Sequence, residues 1–167
     1  MKRPILACAF AVSLAFATGA LGHGDENHGK RGSRSADGHA ATLGRPGNPE
    51  DVNRSIEVEM SDSMRFRPDR IRVQRGDTVR FIVRNTGKLR HEMVLGTAEE
   101  LKEHAATMRK HPDMEHSDPN QVRVEPGETG ELIWEFNREG TFDFACLEPG
   151  HLEAGMVGEI VVGRESE

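Results

Sequence analysis

Three residues that could do chemistry together stand on one short stretch, Cys146-Leu147-Glu148-Pro149-Gly150-His151-Leu152-Glu153-Ala154-Gly155-Met156. A thiol, an imidazole and a thioether share a loop whose Gly and Pro residues let the chain curl back on itself. Thiolate, thioether and imidazole form the donor set copper prefers. Two His and one Cys in a trigonal plane, with a weak axial Met, is its electron-transfer geometry. The stretch supplies the Cys, the Met and one His. The second His must come from elsewhere, and His91 is the candidate.

The elements that must position these residues read as strands. From Ser55 the apolar residues recur with period two. Ile56, Val58 and Met60 share a face, as do Ile71 and Val73, and Val79, Phe81 and Val83 alternate with Arg80 and Arg84. Val122 and Val124 lead to a Pro126-Gly127 turn. Leu132, Trp134 and Phe136 then alternate with Glu131 and Glu135. Phe142 and Phe144 share parity with Cys146, which aims the thiol toward the side the core occupies. Val157, Ile160 and Val162 close the pattern, with a break near Gly158. Seven or eight short strands with turn signals predict an all-β Greek-key β-sandwich. One segment departs from period two. Thr97 to Glu100 is a capping box, Leu101, Ala105 and Met108 follow at helical spacing, and Pro112 stops the run. A helix of roughly Ala98 to His111 is expected as an insertion. His91 would then sit at a rim of the sandwich, where the strand carrying Cys146 also ends.

These residues carry a family resemblance. Residues 55–163 resemble the cupredoxins, the small blue-copper proteins. The pattern runs through Phe66-x-Pro68, Gly76-Asp77-Thr78-Val79-x-Phe81-x-Val83-x-Asn85 and His91. It resumes with Val124-x-Pro126-Gly127-Glu128-Thr129, Gly140-Thr141-Phe142-x-Phe144-x-Cys146, Gly150-His151 and Gly155-Met156-x-Gly158-x-Ile160-x-Val162. The resemblance implies one type 1 copper held by His91, Cys146, His151 and Met156, with Met156 axial and Asn85 tying the first ligand loop to the Cys loop. Arg90 stands where relatives often carry Asn, and four residues fill each gap between Cys146, His151 and Met156, unlike plastocyanin or azurin. Met93 is expected in the core and Glu148 in solvent.

Composition bounds the rest. A formal net charge of −6 argues against nucleic acid as a partner. Residues 1–22 read as a secretory signal peptide: Lys2 and Arg3, an apolar run from Ile5, then small residues to Gly22. The apolar run is short of the ~20 residues a membrane span needs, so no span is expected once the signal is removed. Cys8 leaves with the signal. Cys146 is then an unpaired thiol in an oxidising compartment, which favours a ligand over an inert core residue. Residues 23–53 are Gly, Ser and charge, expected to be a disordered His-rich segment, and residues 54–163 the cupredoxin domain. His23, His28 and His39 in that segment read equally as weak copper ligands or as part of a solvated linker. Cleavage after Gly22, or after Ala20, would leave a terminus able to chelate Cu(II). His104, Met108 and His111, followed by Met114 and His116, are a further secondary copper cluster in outline. Simple packing of Met108 with solvated His residues is the plainer reading.

No Ser-His-Asp order, phosphate loop or second loop Cys supports catalysis, so the chain is not expected to be an enzyme. The His-rich lead-in resembles periplasmic copper-tolerance cupredoxins and implies binding or oxidation of periplasmic copper. A soluble carrier shuttling electrons between redox partner proteins is the alternative. If the tail binds copper, a chain beginning at Asp51 will match the full chain in visible absorption per domain but hold less total copper. Equal totals by metal analysis would return the tail to a plain linker.

Overall fold

The structure, a computed structural model, describes residues 44–110 and 118–164. The expected signal peptide, the tail residues His23, His28 and His39, and His111, Pro112, Met114 and His116 lie outside the described residues. Among the described residues there are ten strands, more than the period-two count gave. The additions are short: β1 (Arg45–Pro46) and β3 (Arg65–Arg67). The others are β2 (Arg54–Ser61), β4 (Arg70–Gln74), β5 (Thr78–Asn85), β6 (His91–Gly96), β7 (Gln121–Val124), β8 (Thr129–Glu135), β9 (Gly140–Ala145) and β10 (Val157–Gly163). They form two five-stranded sheets, ordered β1-β8-β5-β2-β3 and β4-β10-β9-β6-β7. Most pairs are antiparallel. β2 with β5 and β4 with β10 are parallel, the sign of chain crossing between sheets rather than simple hairpins. This is the all-β Greek-key sandwich expected.

The alternation explains the sheets. In β4 Ile71 and Val73 are buried while Arg70, Arg72 and Gln74 face out. In β8 Leu132 and Trp134 turn inward. The inner faces meet in one core, where the Phe66 ring of one sheet packs edge-on against the Phe144 ring of the other at 4.9 Å between centroids. Each such fully buried apolar side chain contributes about 1.5–3 kcal/mol. Met93 lies in this core, as expected.

β6 breaks the alternation, because all six of its residues are buried. Helix α1 (Ala98–Lys110) covers its outer face. Leu101 and Ala105 pack with Val94, Ala145 and Leu147, and Leu152 of the ligand loop joins them. The capping box forms as expected. Thr97 N–H donates to Glu100 Oε2 at 2.8 Å and Glu100 N–H to Thr97 Oγ1 at 3.3 Å. Met108 is buried on the same helix and His104 is half-buried.

Three chain ends converge at one rim. β5 finishes at Asn85, β6 starts at His91, and β9 finishes beside Cys146. Gly158, at the start of β10, shows how tightly this end is filled. A Cβ there would lie 2.1 Å from the Phe144 ring. Gly158→Ala should therefore overpack the core and destabilise the fold by about 1–3 kcal/mol. A urea midpoint unchanged from the wild type would show that the ring has room to move.

Candidate metal centre

Residues 146–156 close on themselves through the backbone. Cys146 N–H donates to the Met156 carbonyl at 3.1 Å, and Met156 N–H to the His151 carbonyl at 3.0 Å. Between them His151 N–H donates to Glu148 O at 2.9 Å and Ala154 N–H to Gly150 O at 3.0 Å. The loop is thus a pair of stacked turns that brings His151 back over Cys146. Four residues in each gap suffice for those turns. The thiol sulfur lies 3.2 Å from His151 Nδ1 and 3.8 Å from His91 Nδ1. The three donor atoms fall within 4.8 Å of one another, the one such cluster of three or more His, Cys, Asp or Glu donors among the described residues. Cys146, His91 and Met156 are fully buried, and His151 is half-buried. Among the described residues His104 joins no such cluster, and its expected partners His111, Met114 and His116 lie outside them.

The protonation pattern follows from the neighbours. His91 Nε2 lies 3.2 Å from Asp62 Oδ1. Asp62 also accepts the Lys88 N–H at 2.8 Å and the Leu89 N–H at 3.2 Å. The Lys88 amide leads the effects that hold its carboxyl below the ordinary range. The ionised group only accepts. Nε2 therefore carries a proton, and Nδ1 faces the sulfur. Burial holds His151 below the ordinary imidazole value, so it offers a lone pair near neutral pH. Two imidazoles and a thiol, gathered with their donor atoms facing one another, fit a soft-to-borderline metal such as copper.

The Cys146 sulfur has further partners. Glu92 N–H donates to Sγ at 3.4 Å, and Glu92 Oε1 accepts the Leu147 N–H at 3.2 Å. Glu92 thus grips both the sulfur and the chain just after it. Burial raises its carboxyl, and Glu148 raises it further. Arg123 lies 3.5 Å from Glu92 Oε2 and 3.7 Å from Glu148 Oε1. Arg90 forks onto Glu148, Nε to Oε1 at 2.8 Å and the guanidinium NH2 to Oε2 at 3.2 Å.

Two expectations need correction here. Glu148 is not a solvated side chain, since only 13% of it is exposed and two Arg residues hold it. Asn85 does not reach the Cys loop. Its amide donates to Leu89 O at 2.8 Å and Val124 O at 3.0 Å, and its carbonyl accepts Gly87 N–H at 2.9 Å. It fastens the first ligand loop to β7 instead. The two ligand segments are tied by Arg90 to Glu148 and by Glu92 to Cys146 and Leu147, so the residue that departs from the family pattern shares that task. Sequence reasoning missed Asp62, Arg123 and the grip of Glu92. Asp62 belongs to the turn between β2 and β3, and its neighbours Ser61 and Ser63 signal only a turn.

Fold and donors together define a class, a β-sandwich with a thiol–imidazole metal centre at one rim. Residues 52–163 match the family model of copper binding proteins, plastocyanin/azurin family. The chain belongs to that family, and copper is its cofactor. It is 49% identical over 164 residues to the copper-resistant cuproprotein CopI of Rubrivivax gelatinosus, covering 96% of each chain. The protein of the same name from Pseudomonas aeruginosa is 36% identical over 159 residues, covering 78% of this chain and 87% of that one. Among solved structures, auracyanin B superposes with a TM-score of 0.61 at 21% identity, over 72% of this chain and 96% of that one. At that identity the likeness concerns the fold.

The metal-free site sets a pH dependence. Burial pushes the Cys146 thiol up from 9.0 to about 12. The unfolded chain gives up this proton near 9.0, while the folded chain keeps it. Above that pH the native state holds the extra proton, so stability falls as pH rises toward about 12. The slope is at most about 1.4 kcal/mol per pH unit. Below the unfolded value both states are protonated and the term is flat. Urea melts of the metal-free protein and of Cys146→Ala, at pH about 7 and about 10, isolate it. Wild type should lose stability relative to the variant at the higher pH. Parallel loss would mean that the thiol ionises as easily inside the fold as outside.

Proposed function

We propose that this protein is an exported, mononuclear type 1 copper protein of the periplasm that serves copper tolerance. The observation that carries the reading is the convergence of one buried thiol and two imidazole nitrogens within 4.8 Å. Similarity to copper-resistant cuproproteins along nearly the whole chain supports the tolerance role. His91, Cys146, His151 and Met156 would hold the ion. When bound, copper supplies a one-electron Cu(II)/Cu(I) couple.

The chain's own residues do the rest. Cys146 gives up its proton on binding and becomes the thiolate. The Glu92 amide supports the sulfur, Asp62 fixes the His91 ring, and the burial of His91, Cys146 and Met156 keeps water out. Four protein donors leave no open position for a substrate, which favours binding or electron exchange over enzymatic turnover.

The electron carrier is the second reading, and one observation favours it. His151 is half-buried while His91 and Cys146 are not exposed at all, so one ligand ring reaches the surface where a redox partner could dock. Growth of a deletion strain under copper stress separates the readings. Tolerance predicts sensitivity to copper. A carrier predicts unchanged growth and a slowed respiratory or photosynthetic rate.

The ligand assignment has its own test. Cu(II) loading should give an intense thiolate-to-copper visible band at one copper per domain, and Cys146→Ala should abolish it. A band that survives in Cys146→Ala would overturn the assignment.

A further inference from the structure

Asp62 is not on any element that bears a ligand, yet the first ligand loop is built around it. Its Oδ2 accepts Lys88 N–H, and its Oδ1 accepts Leu89 N–H and faces His91 Nε2. The loop also bends over the carboxylate at Gly87, where a Cβ would lie 2.0 Å from Oδ1. Only a residue without a side chain allows that approach. The His91 ring is fully buried, and its Nε2 has no other partner among the described residues. A carboxylate so placed has three contacts on two oxygens, which fixes its orientation and its charge.

We propose that Asp62 is a positioning residue of the copper centre: seated on the Lys88 and Leu89 amides, it holds His91 as the Nε2–H tautomer, aims Nδ1 at the Cys146 sulfur, and biases the site toward Cu(II) over Cu(I). The inference rests on the reading of His91 as a ligand. Carboxylate on the far nitrogen makes the near nitrogen a stronger donor. A fixed negative charge behind the ring also stabilises the doubly charged ion more than the singly charged one. Both effects act in the same direction.

Two measurements test it on the full protein. In the Cu(I)-loaded wild type, nitrogen-15 NMR should place the His91 proton on Nε2 and shift its Nδ1 signal relative to the copper-free protein. Redox titration of Asp62→Asn, which keeps the size and one acceptor oxygen, should show the Cu(II)/Cu(I) affinity ratio falling about tenfold, with the potential moving up. Asp62→Ala should move it at least as far. A melting shift with an unchanged ratio would reduce Asp62 to a structural loop anchor and overturn the proposal. So would an Nδ1–H tautomer in the wild type. An Nδ1 signal indifferent to Cu(I) would instead remove His91 from the ligand set, a different failure that the spectrum identifies by itself.

Discussion

A thiol that must ionise to hold a soft metal, yet is packed into an apolar core, meets two opposed demands. Away from water the thiolate has little to stabilise it, and Cys146 accordingly keeps its proton up to about 12. The carboxylates of buried Glu92 and partly buried Glu148 add to the cost. The surrounding structure is arranged to limit it. The Glu92 amide points at the sulfur, two imidazole nitrogens flank it, and Arg123 and Arg90 offset the carboxylates. These pairs are partly buried, so much of their attraction is offset by the cost of taking the carboxylates out of water. Their value here is in geometry, since they bind the loop before His91, and β7, to the loop after Cys146. The charge that fully compensates the thiolate is the metal's own, so binding and deprotonation are one event.

Much of this was legible in the amino-acid sequence, and the boundary has a physical cause. Side chains two apart on a strand share a face whatever lies elsewhere, so Phe142, Phe144 and Cys146 could be placed together. A capping box is local too, and the helix began where Thr97 and Glu100 put it. The donors on the Cys146–Met156 loop are near neighbours in sequence. What was not legible depends on contacts between distant segments. Asp62 is 29 residues from His91 and Glu148 is 58 from Arg90, and neither pairing leaves a periodic trace. The double burial of β6 was missed for the same reason. Glu92 looks like an outward residue until the packing around the sulfur is known. Asn85 has the right chemistry for a tie, but its direction was set by β7.

Helix α1 gives the ligand loop an outer wall. Leu101 and Ala105 share an apolar patch with Leu147 and Leu152, and Arg109 pairs with Glu153 on the same loop. Stacked turns with no such backing would open with little free energy. With it, swinging His151 away from Cys146 means parting two greasy surfaces and wetting both. The inserted helix would therefore act as a latch on a bound metal's exit. The dwell time of the ion would then depend on how often that latch lifts, a local opening rate, as well as on the strength of the bonds to sulfur and nitrogen. Two proteins with identical donor atoms could thus trade copper with their surroundings at very different speeds.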